Sequence, residues 1–290
     1  MSADPASTFE PHRGYLVGVA YRMLGSVADA EDIVQEAFLR WQGADRELVL
    51  EPRAYLARVV SRLCLDRLKS AEVRRQDYVG TWLPDPLVED LVTDGEAERS
   101  AIAESVSVAL MVTLERLSPL ERAAFLMHDV FDMDYAVVAG VLERSEAACR
   151  QLTARAREHV RDGRPRFSPK AGAEERLIGA FTGAMMTGDT AALTALLAED
   201  AVFYSDGGGK RHAALNPVYG RDRVVRFLVG VSKKRPPIDA ERSRTARING
   251  LPGFVLHTTE GVETLALEIA GDVIVRIYAV RNPDKLRHLA

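Results

Sequence analysis

Between residues 12 and 24, Leu16, Val19, Ala20 and Met23 fall at i, i+3, i+4 and i+7, the spacing that lays one apolar stripe along a helix. Gly25 suits the C-cap, because a residue without Cβ enters the left-handed region freely. Ser26 or Asp29 can cap the next helix, whose stripe is Ile33, Val34, Ala37, Phe38 and Trp41; Asp29, Glu31, Asp32 and Glu36 make its outer face acidic. A polar loop over 43–52 follows, and Pro52 is placed for the first turn of a third helix. There Leu56, Val59, Val60, Leu63 and Cys64 line one side, with Arg58, Arg62, Asp66 and Lys69 on the other. Such stripes can bury one another, each side chain contributing about 1.5–3 kcal/mol on full burial. One all-helical domain is predicted over 8–76.

From 77 to 103 the character changes. Pro84 and Pro86 flank Asp85, then come Glu89, Asp90, Asp94 and Glu96: an acidic, proline-bounded linker. A second helical domain is predicted over 104–162, starting near Glu104 with Val108, Met111, Val112 and Leu114. Its next helix opens on an explicit signal, with Ser118 as N-cap, Pro119 in the first helical position and Glu121 completing a capping box. A short helix bearing Tyr135, Val138, Val141 and Leu142 follows. A turn at Glu143, Arg144 and Ser145 then leads to a longer helix with Cys149, Leu152, Ala156 and Val160 inward, which is a helix-turn-helix pattern. Gly163, Pro165, Pro169 and Gly172 mark a second linker at 163–172.

Over 173–290 the period becomes mixed. A helix through Leu177, Ile178, Phe181 and Met185 and another around 193–197 precede strand-like runs at 201–204, 242–248, 254–257, 262–269 and 273–280. The predicted architecture is multidomain: two all-α domains, then an α+β domain with a curved mixed sheet.

Composition narrows the chemistry. No apolar run approaches the length that crosses a bilayer, and the amino terminus lacks the basic-then-apolar pattern of a secretory signal, so the expected compartment is the cytoplasm. Cys64 and Cys149 lie in helical patterns outside any metal-ligand spacing and read as packed thiols; no metal or cofactor is expected. A net charge of -4 excludes a surface coated in positive charge, so contact with nucleic acid must come from local basic faces.

Two such faces exist. The last helix of the second domain turns Arg144, Ser145, Glu146, Arg150, Gln151, Thr153, Arg155, Arg157 and Arg161 away from its stripe, where guanidinium and amide groups can reach base edges and phosphates. Arg58, Arg62, Arg67, Lys69, Arg74 and Arg75 form the other. For each, a solvated helix surface is the plain alternative. The acidic helix with Asp29, Glu31, Asp32, Gln35, Phe38 and Trp41 would repel phosphates, so its partner would be protein; the alternative makes Phe38 and Trp41 core residues, Phe38 above all.

On these residues the chain resembles the extracytoplasmic-function group of sigma-70-type factors. The segment Asp29-Ala30-Glu31-Asp32-Ile33-Val34-Gln35-Glu36-Ala37-Phe38-Leu39-Arg40-Trp41 is similar to that family's polymerase-core-binding helix, and Pro52-Arg53-Ala54-Tyr55-Leu56 to the opening of its promoter-melting helix. Residues 117–160 resemble its reader of the -35 element. The resemblance implies core RNA polymerase and promoter DNA as partners. The acidic helix would dock on the clamp helices of the polymerase's largest subunit, the loop at 43–51 and the helix after it would trap an unstacked -10 base, and no nucleotide would be hydrolysed. Trapping a flipped base offsets a stacking cost of a few kcal/mol.

Three further segments resemble the signatures of a subgroup carrying a fused SnoaL-like domain of NTF2-like fold: Tyr78-Val79-Gly80-Thr81-Trp82-Leu83-Pro84-Asp85-Pro86, Asp206-Gly207-Gly208-Gly209-Lys210 and Asn282-Pro283-Asp284-Lys285-Leu286. The glycines admit a phosphate cradle, but the lysine spacing is not that of a P-loop; a tight turn packed on the linker around Trp82 is the preferred reading. A regulatory domain that grips the linker is expected, with a small effector of unknown identity left open. Tyr204, Asp206, His257 and Tyr278 could be assembled into an isomerase-like site, an analogy of fold alone. A one-component helix-turn-helix regulator is the alternative function, in which the acidic helix would have no task.

Overall fold

In the computed structural model, which describes residues 4–45, 48–75, 78–89, 107–163, 170, 172–234 and 236–289, caps set the ends of the early helices. Helix α1 (Pro5–Phe9) starts where the Asp4 carboxylate accepts from the Ala6 amide, and α2 (Arg13–Leu24) ends on Gly25 at φ 70°. The Ser26 hydroxyl accepts from the Asp29 amide to open α3 (Val27–Gln42), and α4 (Pro52–Arg75) begins at the proline. Helix α5 covers Val108–Leu114. The capping box of Ser118 and Glu121 opens α6 (Pro119–Phe125), which runs into a π turn at Leu126–Val130. Helix α7 (Tyr135–Leu142) stops at Glu143, itself left-handed at φ 55°, and α8 spans Glu146–Gly163. The helix-turn-helix is thus α7, the turn and α8.

The chain folds as two units, one from within 1–77 and 110–163, the other from within 78–109 and 164–290. In the first, Leu16, Met23, Val34, Leu56, Val60 and Cys64 are buried between α2, α3 and α4, and Met111, Phe125, Val138, Cys149 and Ala156 between the later helices. Arg122 joins the two sets. Only 2% exposed, it donates from Nε to Leu114 O at 2.9 Å and from Nη1 to Met23 O at 2.9 Å, and pairs with Glu115 at 2.6 Å. A buried guanidinium persists only with such partners.

The second unit contains α9 (Ala173–Thr187), α10 (Thr190–Leu196), β1 (Leu197–Asp206), β2 (Val218–Tyr219), α11 (Arg221–Ser232), β3 (Ile238–Ile248), β4 (Leu251–Thr258), β5 (Gly261–Ala270) and β6 (Val273–Val280). The sheet runs β2-β1-β6-β5-β4-β3, with β1 and β6 parallel and the other neighbours antiparallel. Phe203, Phe254, Leu267 and Ile277 pack against Leu177, Phe181, Leu193, Val224 and Leu228 of the helices. Because strand side chains alternate, Tyr204, Asp206, Val255 and Tyr278 belong to the other face. Helices followed by a helix-backed mixed sheet match the fold class expected; α1, β2 and α11 were not anticipated.

Part of the 77–103 segment folds with the second unit. Residues 78–89 belong to the second unit, where Val88 bridges Ile248 and the Glu89 amide donates to Arg247 O at 3.1 Å. Asp90, Asp94, Glu96 and Glu104 lie outside the described residues, as do Pro165 and Pro169 and the side chains of Arg74 and Arg75.

Candidate functional site

Asp206 and Val280 are register partners at the ends of parallel β1 and β6, so the loops that follow both strands leave one edge of the sheet. The Asp206 carbonyl accepts the amides of Arg281 (2.7 Å) and Asn282 (3.0 Å), tying the loops together. Its carboxylate is wholly buried. Oδ1 accepts from the Tyr78 hydroxyl at 2.6 Å and the Gly208 amide at 3.0 Å, while Oδ2 accepts from the Leu83 amide at 2.8 Å and Lys285 Nζ at 2.9 Å. Lys285 Nζ also donates to Leu83 O and stands 4.1 Å from the Trp82 ring centroid. Asn282 Nδ2 donates to Tyr78 Oη at 3.0 Å. All lone pairs and protons of the central ion pair thus have partners, the condition under which a buried pair is tolerated.

The three signature segments therefore meet at one seat. Leu83 and Leu286 are buried beneath it, and Pro84 is buried as well, whereas Pro283 is exposed. The glycine loop is a tight turn closed by the Lys210 and Arg211 amides on Gly207 O, at 3.0 and 3.1 Å. It cradles side chains: a Cβ at Gly208, where φ is +59°, would stand 2.2 Å from Asn282 Nδ2, and one at Gly209 would stand 3.2 Å from Val79. Lys210 pairs with Asp284 at the rim, and Lys285, not Lys210, meets Asp206. Burial first, then the adjacent Asp206 carboxylate, pushes the Tyr78 phenol well above its ordinary range. Further along, the Leu87 amide donates to Asn249 Oδ1 at 3.0 Å and His288 Nε2 lies 2.8 Å from Pro86 O.

The helical unit carries the other candidate surfaces. On α3, Asp32 and Gln35 are exposed and Glu31 is half-buried, while Asp29 holds Arg67 of α4. Trp41 is a correction: it is 1% exposed, with Nε1 donating to Pro5 O at 3.1 Å, so it is a core residue. Phe38, expected in the core, is half-buried with its ring centroid 5.0 Å from that of Phe9. The unanticipated α1 turn explains both, since it supplies the carbonyl that seats the indole.

On α4, Arg58 and Arg62 border a cleft of about 280 Å³ shared with Ala136, Val137 and Gly140 of α7; Arg62 pairs with Glu143, and Lys69 lies 3.9 Å from Asp66. On α8 the Ser145 hydroxyl caps the helix by accepting from the Ala148 amide, Arg144 donates to Glu143 O, and Gln151 is exposed. Arg150 pairs with Glu146 at 2.7 Å, Arg155 with Glu121 at 3.1 Å, and Arg157 binds both oxygens of Asp129 at 2.7 Å. Hydrogen bonding to these carboxylates raises the pKa of Arg67 and Arg157. Thr153 is a second correction: fully buried, it widens the stripe of Cys149, Leu152, Ala156 and Val160 and cannot reach DNA in this arrangement. Reading outward-facing arginines alone overlooked their acidic partners Glu121, Asp129 and Glu143.

The isomerase-like set does not form a site. Tyr204 stacks on Tyr278 with centroids 5.3 Å apart, Tyr278 donates to Glu268 at 2.7 Å, and Asp206 is committed to the linker. His257 lies on β4, where Gly253, not His257, is level with Ala266, the register partner of Tyr278. All four belong to the face opposite the helices, whereas a cavity of about 640 Å³ opens on the helix face and is lined by Phe203 and Ser205. No described helix is long and apolar enough to cross a membrane, and no metal-binding group of His, Cys, Asp or Glu occurs among the described residues.

One helical unit that ends in a helix-turn-helix and a second unit that seats the linker give the architecture of a DNA-binding protein with an added domain. Sigma-70 region 2 matches residues 8–74 and sigma-70 region 4 matches 107–160. The chain is 41% identical, over 96% of its length and 92% of the relative's, to the ECF RNA polymerase sigma factor SigJ of Mycobacterium tuberculosis strain H37Rv. It is 33% identical to the probable ECF RNA polymerase sigma factor SigI of M. tuberculosis strain CDC 1551, over 98% and 95% of the two chains. The crystal structure of M. tuberculosis SigJ superposes with a TM-score of 0.79 at 37% identity, covering 97% of this chain and 98% of that one. The chain belongs to the extracytoplasmic-function RNA polymerase sigma factors.

Proposed function

We propose that the chain binds core RNA polymerase through the exposed part of α3, opens and reads promoter DNA through α4 and the loop before it, and reads a -35 element through α8. In this reading Asp29, Glu31, Asp32, Gln35 and the half-buried Phe38 face the polymerase. Arg58, Arg62, Arg67 and Lys69 meet DNA near the -10 element, and Arg144, Ser145, Glu146, Arg150, Gln151, Arg155 and Arg157 meet it near -35. The protein works in the cytoplasm as a binding factor, with no catalytic step of its own.

The carboxy-terminal domain regulates it in cis by gripping the linker. The observation that carries this is the buried Asp206 carboxylate, which takes the Tyr78 hydroxyl and Leu83 amide of the linker together with Lys285 of the carboxy-terminal turn. The linker joins the two DNA-reading domains, so a domain that fixes its course constrains where they can lie on one promoter.

Co-purification of the full chain with core polymerase tests the first part, and promoter-directed transcription tests the second. Chains ending near 167 and near 282, and a full-length Asp206→Asn variant, should all differ from the intact protein in promoter-directed transcription. Indistinguishable transcription from all of them removes regulation by the linker seat; failure to bind core polymerase removes the whole reading.

A further inference from the structure

The cavity of about 640 Å³ on the helix face has the size of a small-ligand site and an unusual distribution of charge. Its inner wall is apolar, with Phe203 and Phe227 (ring centroids 4.9 Å apart), Ala213, Ala214 and Val231. Among these sits the Ser205 hydroxyl. Ser205 is 3% exposed and lines the cavity. Its hydroxyl can donate to an acceptor on a bound molecule.

The charged groups divide into two sets. Arg281 and Arg211 are neutralised by Glu260 and Glu263: Arg281 meets Glu263 at 2.8 Å and Glu260 at 3.8 Å, and Arg211 meets Glu260 at 3.2 Å and Glu263 at 3.8 Å. Arg226, on α11, and Lys234, just after it, line the same cavity with no carboxylate partner among the described residues. Arg226 gives only its Nε, to Asp222 O at 3.2 Å. The charges of Arg211, Arg281, Glu260 and Glu263 cancel, leaving two cations on the helix side of an aromatic chamber.

We propose that this cavity binds a small aryl carboxylate, its ring against Phe203 and Phe227, its acid group on Arg226 and Lys234, and an acceptor on its ring substituent or acid within reach of Ser205. The apolar walls, with the Phe203 and Phe227 rings tilted at 46°, select the body, and the two cations select the charge, since hydrogen bonds to ionised groups are the stronger kind. The site reaches the linker seat through the backbone: Ser205 and Arg281 line the cavity, and their neighbours Asp206 and Asn282 form the seat.

The test is calorimetric titration of the full chain with 2-naphthoate, its neutral amide 2-naphthamide, and acetate. Saturable one-site binding of naphthoate is expected, at least ten-fold tighter than the amide, with acetate inert. Arg226→Gln combined with Lys234→Gln should reduce naphthoate to the affinity of the amide and leave the amide unchanged. Gly230 lines the cavity on α11, and a Cβ there meets nothing within 4 Å, so Gly230→Leu fills the chamber without disturbing the helix and should abolish both titrations. Absence of saturable naphthoate binding overturns the proposal, as does equal affinity for acid and amide, or binding that survives Gly230→Leu. None of these readouts involves polymerase, so they are independent of the transcription tests.

Discussion

The two units use carboxylates in opposite ways. In the carboxy-terminal unit one buried aspartate, Asp206, holds the linker and Lys285 in a network where every group is satisfied. In the helical unit Glu143, Asp129 and Glu121 hold Arg62, Arg157 and Arg155, arginines whose side chains remain 53–61% exposed. Removing one partner of a buried pair costs about 3–5 kcal/mol, whereas an exposed pair contributes about 0–1 kcal/mol. The seat is therefore built to hold. The arginines of α4 and α8 are only lightly engaged, which on the proposed function lets them exchange a carboxylate for a phosphate.

The largest effect follows from breaking the seat at its centre. Asp206→Ala leaves the Lys285 ammonium buried without its counter-charge and should destabilise the chain by about 3–5 kcal/mol in denaturant unfolding. The Asp206→Asn variant should fall short of that loss, because an amide can still accept hydrogen bonds. A loss below about 1 kcal/mol for the alanine variant, the scale of a surface pair, would erase the contrast between the units.

Gly208→Ala probes the same seat through the backbone. With φ at +59° and Asn282 Nδ2 2.2 Å from the added Cβ, the turn must shift, and about 1–3 kcal/mol is expected. The measurable signature is faster amide exchange in residues 78–87, since Asn282 holds Tyr78.

The fold was legible where a local rule decides it. Gly25, Ser26, Pro52 and the Ser118–Glu121 box carry their helix ends in side-chain chemistry that acts within a few residues. The seat was legible in its parts but not in its wiring. Asp206 and Lys210 look like partners four residues apart, yet Lys285 arrives from across the sheet because β1 and β6 run parallel and end together. Trp41 is more deeply buried than Phe38 for a similar reason: the carbonyl that seats Trp41 comes from Pro5, far back in the chain. Thr153 misled through its polarity, although its position beside Leu152 and four residues after Cys149 places it on the buried stripe. The isomerase-like set failed on strand parity, since Phe203 and Ser205, not Tyr204 and Asp206, point toward the helices.

On the helical side the comparison predicts small stability effects and visible binding effects. Asp129→Asn removes the bidentate partner of Arg157 and should change unfolding free energy by no more than about 1 kcal/mol. If α8 reads DNA, freeing that guanidinium should tighten promoter binding by the polymerase-bound protein at low salt and steepen its salt dependence. Unchanged affinity with a large stability loss would make the pair structural and place Arg157 outside the reading face.

The smallest effect separates the two kinds of carboxylate by pH. At the rim of the seat, hydrogen bonds from Lys210 and then Arg287 hold Asp284 below the ordinary carboxylate value of 3.8. A depressed folded pKa stabilises above the unfolded value and loses that contribution as pH falls through the folded one. The rim should thus weaken only below about pH 4, and Asp284→Asn should remove this acid-limb dependence. Tyr78 has the opposite sign: its raised pKa contributes fully below its ordinary value of 10.0, and that contribution declines as pH rises beyond it. Tyr78→Phe should flatten the alkaline limb while leaving the acid limb intact. Stability profiles of the two variants therefore report the rim and the centre independently, and a shared change on one limb would mean that they open as a single unit.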